Sequence, residues 1–391
     1  MKKIFIILSI ACLFFFTAYA DVLLENDVTV DSVKSTAMGG FHSGLADDVD
    51  ILFSNPAGFL AVDEQMRLTQ ISLGLHGPVF DITNMVIQAI DGGTDPQDIV
   101  SEEENLALLR SLYAGASTSG PLSFSYIGNG IGFGFFNSSG LHFESPVPLE
   151  ATAQIWEQLV LIGGYAFEIP IGTEMHSFEA GISLKGFFRG EEKFSTTYLQ
   201  LVNLLSNPDK EFLVNQPFDL VTGIGFDIGL RYTFADILTV GLVGQDIYTP
   251  TVRNSYSSLE GFLDGADATG SKNGIVPMKI NTGITVVPPL GVLENYVSHI
   301  SFSLDYNDIF DFLMYPEIAD NPILHVGTGA EVTILDILSI RGGMNEGLFA
   351  AGLGVKLGIA DIGLSMYGTE VSHEPGLNPV YNLLFSIDLE V

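Results

Sequence analysis

The feature that most constrains this chain is a two-residue rhythm of apolar and polar side chains. From Phe218 to Phe234, the residues Phe218, Leu220, Thr222, Ile224, Phe226, Ile228, Leu230, Tyr232 and Phe234 fall on one side. Asp219, Gly223, Gly225, Asp227, Gly229 and Arg231 fall on the other. Successive side chains of a strand point to opposite faces, so this is a strand with one greasy and one polar face. The rhythm returns at the C-terminal end, where Tyr381, Leu383, Phe385, Ile387, Leu389 and Val391 alternate with Asn382, Ser386, Asp388 and Glu390. A closing strand with an apolar last residue fits a barrel inserted into an outer membrane by barrel-assembly machinery.

The same template predicts strands at 66–75, 120–127, 130–138, 153–167, 176–189, 218–233, 238–246, 276–287, 299–307, 323–333, 338–345, 348–357, 362–368 and 381–390. That is about fourteen, an even number as single-chain bacterial barrels have. Short links fall at Gly128-Asn129-Gly130, Ala235-Asp236-Ile237, Asp336-Ile337 and Ala360-Asp361, and long ones at 76–119, 139–152, 190–217, 247–275, 308–322 and 369–380. Short turns at one end and long loops at the other are the two rims of a barrel. Two of the long loops carry helical spacing: Tyr198, Leu201, Val202 and Leu205 in one, Leu106, Leu109 and Tyr113 in the other. These faces either pack on the rim or form a greasy external landing site for an apolar ligand.

The first twenty residues read as a cleaved secretory leader: Met1-Lys2-Lys3, an apolar run from Ile4 to Phe16, then Ala18-Tyr19-Ala20 before Asp21. Cys12 is the only cysteine. A lipid anchor there is the weaker alternative, since Leu13 to Phe16 still belong to the apolar run, and a mature chain starting at Asp21 has neither disulfides nor thiolate metal sites. Mean hydropathy is +0.36, yet beyond the leader no run of about 18 apolar residues could cross a bilayer as a helix. The formal charge of -32 excludes nucleic-acid binding, which needs clustered Lys and Arg. Acidity on this scale either attracts cations or keeps loops solvated.

Between the leader and the first strand, residues 35–61 show no alternation and are rich in small side chains. Asn55 can bond its own backbone and Pro56 fixes φ, so Asn55-Pro56-Ala57-Gly58 specifies a sharp turn or a helix start, while Gly39-Gly40 admits close backbone approach. Ala37-Met38-Gly39-Gly40, then Ala46-Asp47-Asp48, then Asn55-Pro56-Ala57-Gly58 resembles the N-terminal hatch of the FadL/TodX outer-membrane transporters of hydrophobic compounds and their PorV-like relatives. The resemblance implies an all-β membrane protein, a fourteen-stranded antiparallel transmembrane barrel over 66–391, with a hatch or plug over 21–65 in its lumen. It marks Gly39, Gly40, Asp47, Asp48, Asn55, Pro56 and Ala57 as the hatch motif. It also implies passive uptake of long-chain fatty acids or other hydrophobic molecules, captured at external loops and released sideways through a kinked strand.

Two sets of wall residues are candidates for that traffic. Gly130, Gly132 and Gly134 strip one face of the third strand and mark either a lateral gate or room for the hatch. Lys185, Arg189, Arg231, Lys279, Arg341 and Lys356 have inward parity, as charge facing lipid would cost about 2–4 kcal/mol at mid-depth. They either clamp a ligand carboxylate or pair with acids such as Asp219, Asp227, Asp305, Asp47 and Asp48. No Gly-x-Ser-x-Gly, His-Glu-x-x-His or P-loop pattern stands in a usable context, so no enzyme activity and no cofactor are expected. Asp47, Asp48 and Asp50 lack the glycine hinge and terminal Glu of a calcium loop, and Glu102-Glu103-Glu104 reads as a solvated loop or helix start, so no metal is expected. The expected partners are outer-membrane lipid and a fatty-acid-like ligand, with the barrel monomeric. A PorV-like role in protein secretion or surface attachment, and an open cation-preferring porin, are the alternatives.

Overall fold

The structure is a computed structural model that describes residues 23–91, 96–110, 112–147, 150–171, 173, 175–206, 209–316 and 319–391. The leader over 1–20, Cys12 and the junction at Asp21 lie outside the described residues. Two-residue alternation becomes one sheet of eighteen strands. These are β1 (Leu23–Leu24), β2 (Gln65–His76), β3 (Tyr113–Ser119), β4 (Phe124–Gly128), β5 (Ile131–Val147), β6 (Glu150–Glu168), β7 (His176–Thr197), β8 (Phe218–Phe234) and β9 (Leu238–Gln245). They continue as β10 (Pro250–Tyr256), β11 (Gly270–Ile275), β12 (Lys279–Val286), β13 (Val297–Tyr306), β14 (Val326–Ile334), β15 (Leu338–Asn345), β16 (Leu348–Leu357), β17 (Ala360–Glu370) and β18 (Pro379–Glu390). β3 with β4, β9 with β10 and β11 with β12 are interrupted halves of single wall strands, so the wall has fourteen. β18 pairs antiparallel with β2, from Asn382 opposite His76 to Glu390 opposite Arg67, and closes the barrel.

The short links are type I′ hairpins where both central residues take positive φ: Asn129 and Gly130 at 53° and 77°, Ala235 and Asp236 at 52° and 56°, Leu335 and Asp336 at 53° and 57°. The link expected at Ala360-Asp361 sits two residues earlier. Lys356 pairs with Asp361 and Leu357 with Ala360, which leaves Gly358, at φ +64°, and Ile359 as the turn.

Strands also outrun their expected ends. β5 reaches Val147 and β6 begins at Glu150, β7 reaches Thr197, and β10 and β11 lie inside the stretch expected to be loop over 247–275. Near their external ends the strands pack under helices instead of meeting lipid, so greasy-out and polar-in alternation fades while the ladder continues. The helices of the described residues are α1 (Val33–Ala37) before the wall, then α2 (Val79–Asp91), α3 (Pro96–Ser101), α4 (Glu103–Arg110), α5 (Tyr198–Ser206), α6 (Lys210–Val214), α7 (Leu259–Leu263) and α8 (Asp311–Met314) in the long loops. The helical spacing read at Leu106 and Leu109 belongs to α4, but Tyr113 already starts β3.

Outward side chains form an apolar belt, with Leu161, Phe188 and Ile224 each 60–64% exposed. An exposed apolar surface of this extent suits hydrocarbon, not water. No described helix is long and apolar enough to cross a membrane. Facing inward, the wall is lined by glycine, hydroxyls and charge, and residues 23–64 occupy the space. α1 touches β15, β16, β17 and β18, while the 3₁₀ turn Pro56–Leu60 touches β5, β6, β7 and β8 on the other side of the lumen.

Candidate transport pathway

The inner segment is held by local capping and by close backbone contact. Ser32 caps α1 by accepting from Ser35 N at 3.3 Å. Asp48 caps the 3₁₀ turn Val49–Phe53, and Asn55 caps the next one through Ala57 N at 3.1 Å, with Pro56 at its start where no N–H is needed. Asn55 is buried and its Nδ2 also donates to Ser43 O at 2.8 Å and to Leu230 O of the wall at 3.2 Å. The wall meets this turn with glycine: a Cβ on Gly229 would lie 1.9 Å from Asn55 Oδ1, and one on Gly181 would lie 2.3 Å from Pro56. Gly39 and Gly40, at φ +86° and +99°, run against β14 and β15, where a Cβ on Gly39 would sit 2.4 Å from Thr328 O.

Ion pairs fasten the same segment. Lys34 Nζ lies 2.5 Å from Asp47, 3.0 Å from Asp48 and 3.5 Å from Glu331 of β14. Burial works against the ammonium, yet the three carboxylates together hold its pKa well above the ordinary lysine value. Arg67 of β2 bridges Asp50 at 2.7 Å and Glu390 at 2.8 Å, and His42 Nδ1 lies 2.8 Å from Asp305 Oδ2. Arg253 joins Glu25, Glu191 and Asp219.

The inward basic residues are placed as follows. Lys185 lies 2.7 Å from Asp246 and 3.2 Å from Asp227. Arg189 donates to Gln158 Oε1 and to the carbonyls of Asn26 and Asp27, and Lys279 pairs with Asp27. Arg231 meets Glu179 at 2.5 Å, and Arg341 meets Glu331 at 2.9 Å. Lys356 departs from the expectation. It is exposed at the short-turn end, opposite Asp361 and beyond the lumen, because the true turn lies only two residues further along the chain. Asp47 and Asp48 find their cation in Lys34 of their own segment instead of in the wall. Lys34, Arg67, Arg253 and His42 were missed by sequence reasoning; Arg67 shares the parity of outward Ile71, Leu73 and Leu75, and only the bulge between Arg67 and Thr69 turns it inward.

Tyr198, Leu201 and Val202, each 2% exposed, are not an external landing site. With Leu205 they pack on Met85, Ile99, Leu109, Phe143 and Phe194, forming a small core between the external helices and the strand ends. Burying such side chains stabilises by about 1.5–3 kcal/mol each, so this face holds the cap together.

Nor do Gly130, Gly132 and Gly134 weaken the wall. β5 pairs with β4 from Phe124 opposite Phe135 to Gly128 opposite Ile131, and with β6 from Ile131 opposite Tyr165 onward. Gly130 is a turn residue, Gly134 yields its space to the Phe136 ring, and Gly132 makes room for Leu52 and Phe59 of the inner segment, 3.0 and 3.1 Å from where its Cβ would be.

The wall is interrupted elsewhere. At residues 120–123 the gap is stitched by Gly120 N to Asn137 O at 3.0 Å, Asn137 Nδ2 to Gly120 O at 3.2 Å and Gln70 N to Ser123 Oγ at 2.6 Å. At residues 246–249 the strand bulges against β8, with Asp246 N on Asp227 Oδ1 at 2.7 Å and Ile247 N on Phe226 O at 3.1 Å. Lys185 stands directly behind this second gap. On the outer face in front of it lies an apolar groove of about 980 Å³ between Phe135, Leu161, Phe188, Tyr248 and Pro250. Inside the barrel, the segment leaves a cavity of about 230 Å³ within its own folds and one of about 350 Å³ toward the external side, where Tyr113, His142, Trp156 and Arg189 converge.

No protein-family profile and no curated relative matches the chain. Among solved structures it is similar to the Ralstonia pickettii toluene transporter TbuX, at 12% identity and TM-score 0.49, covering 93% of this chain and 98% of that one. It is also similar to the Pseudomonas putida toluene transporter TodX, at 12% identity and TM-score 0.44 with 93% and 98% covered. A Pseudomonas aeruginosa FadL homologue matches at 12% identity and TM-score 0.44, with 94% and 99% covered. The chain resembles the FadL/TodX barrels. At this identity the likeness is one of fold, and the residues that hold the lumen are read from this structure alone.

Proposed function

We propose that this protein is an outer-membrane channel for passive passage of hydrophobic small molecules, with residues 23–64 acting as its hatch. The observation that carries the reading is an apolar-belted barrel whose lumen is filled by its own N-terminal segment, pinned to opposite walls by α1 and by the turn at Asn55-Pro56. A lumen filled in this way suits slow passage coupled to movement of the segment and disfavours the open cation-preferring porin. Long-chain fatty acids are the ligand class that the hatch motif implies. Ligand entering an apolar groove loses water, at roughly 25 cal/mol per Å² of apolar surface buried. The sideways exit of this reading falls at residues 246–249, where the ladder bulges and the groove of about 980 Å³ opens on the lipid side.

Planar-bilayer recording tests the hatch. The wild-type barrel should conduct little, and deletion of residues 35–60 should raise the current; an unchanged current in the deletion, or a large steady current in the wild type, sinks the reading. Mass spectrometry of lipid extracted from purified protein separates transport from a secretion role. Bound fatty acid supports the first, and co-purifying secretion components without ligand support the second.

A further inference from the structure

One group of side chains between the inner segment and the wall keeps capacity for a further ligand beside its ion pairs with Lys34 and Arg341. A carboxylate oxygen of Asp47, one of Glu331 and a ring nitrogen of His299 all lie within 4.8 Å of one another. The three come from the segment, from β14 and from β13. His299 stands opposite Thr333 in the ladder, diagonal to Glu331 on the same inward face. Nε2 of His299 is buried without a hydrogen-bond partner, and Oε2 of Glu331, a residue 3% exposed, accepts no hydrogen bond and has only the Lys34 ammonium at 3.5 Å. The other Glu331 oxygen is already taken by Arg341, at 2.9 Å from Nη2 and 3.1 Å from Nε, which orients the carboxylate.

Asp47, Asp48 and Glu331 share two directly paired cations, Lys34 and Arg341, while the more distant Arg67 and Arg231 each hold acids of their own, Asp50 with Glu390 and Glu179. Three carboxylates this close repel one another, most of all the buried Glu331, and a bound cation relieves that repulsion. An imidazole nitrogen beside two carboxylates is the donor set of a zinc-class ion; calcium and magnesium prefer oxygen throughout. None of the three residues lies near the others in sequence, so the pattern has no motif to announce it.

We propose that Asp47, His299 and Glu331 bind a divalent transition-metal ion of the zinc class, which latches the N-terminal segment to β13 and β14. Arg341 acts as the supporting partner that holds Glu331 in place. Lys34 is the competing cation and stays on Asp48 when the ion is bound. The site stands whatever molecule the barrel passes.

Cobalt(II) is the probe, because its visible absorption reports the coordinating ligands. Full-length protein purified in detergent and stripped with a chelator should bind one equivalent, and zinc should displace it. Losing a supporting residue around a metal costs about 10–100-fold in affinity, so losing a ligand in His299→Ala or Glu331→Gln should weaken binding by more than about tenfold. Lys34→Met, which removes the competitor, should tighten it, and His373→Ala, at an exposed external position, should leave it unchanged. A heat-dependent shift in gel mobility shows that each variant is a folded barrel. No cobalt spectrum from folded wild type, or equal binding by folded His299→Ala and Glu331→Gln, overturns the proposal.

Discussion

Two of the three interruptions of the wall, at residues 120–123 and at 246–249, look alike in the ladder and differ in what surrounds them; the third, at 276–278, adjoins the second, with Val276 N on Thr249 O at 3.0 Å. The first is closed by hydrogen bonds among neutral groups of Gly120, Asn137, Gln70 and Ser123. The second is closed by charge: Lys185 bridges Asp227 and Asp246, Asp246 accepts from Thr249 Oγ1 at 2.7 Å, and Asp227 accepts the Asp246 N–H. The second has the large apolar groove in front of it. A neutral stitch costs little to bury and little to leave in place. A buried charged triad costs several kcal/mol to desolvate and is hard to account for by stability alone. In the proposed function the first gap belongs to wall geometry and the second to passage.

The largest expected effect tests the triad. Lys185→Met leaves two buried carboxylates without their cation and should cost about 3–5 kcal/mol in barrel stability, measured by denaturant unfolding in detergent. A loss under about 1 kcal/mol would place the two gaps on the same footing. Next comes the groove. Gly186 points outward there, and a Cβ on it would meet only Gly223 O, at 4.0 Å. Gly186→Phe should therefore fold and insert normally while uptake of a hydrophobic substrate falls severalfold; Leu122→Phe, beside the first gap, should leave uptake unchanged. Equal uptake in both variants would remove the exit from the second gap.

Asn137→Ala should cost about 1 kcal/mol, the size of one neutral hydrogen bond, and spare uptake. The smallest effect concerns Asp308, whose N–H donates to Asn281 Oδ1 at 2.7 Å, while Asn281 in turn donates to Gln245 at the edge of the second gap. Burial pushes the Asp308 carboxyl up to about 6 from its ordinary 3.8. Between those two values the folded barrel holds a proton that the unfolded chain has released, so this group stabilises progressively as pH falls through 6 toward 3.8. Asp308→Asn keeps a side chain that tolerates its φ of +44° and should shrink the gain in melting temperature between pH 7 and pH 5 relative to wild type. An identical gain in both proteins would detach Asp308 from the network.

Much of the wall was legible from β8 and β18, whose alternation alone assigns Ile224 outward and Asp227 and Arg231 inward. Asn55-Pro56 was legible as a helix start because capping and a missing N–H act within a few residues. The extensions of β5 and β7 were not, since near their outer ends the partner is a helix and not lipid, and the alternation that betrays a strand is lost. Gly132 could be read either as a weak point or as a space, and only the position of Leu52 and Phe59 decides between them. Tyr198, Leu201 and Val202 showed an apolar face, but whether that face meets water or Met85 and Leu109 depends on which loops meet.

The sequence by itself therefore determined a closed, apolar-belted barrel with a non-strand segment ahead of it, because a period of two is a property of neighbouring residues. The tertiary structure alone decided which charges meet, where the wall is weak and what fills the lumen. Lys185 with Asp246, Lys34 with Glu331, and His299 with Asp47 are each brought together across tens to hundreds of residues of chain. Such pairings arise from strand register and from the path of the inner segment, and neither leaves a periodic trace in the sequence.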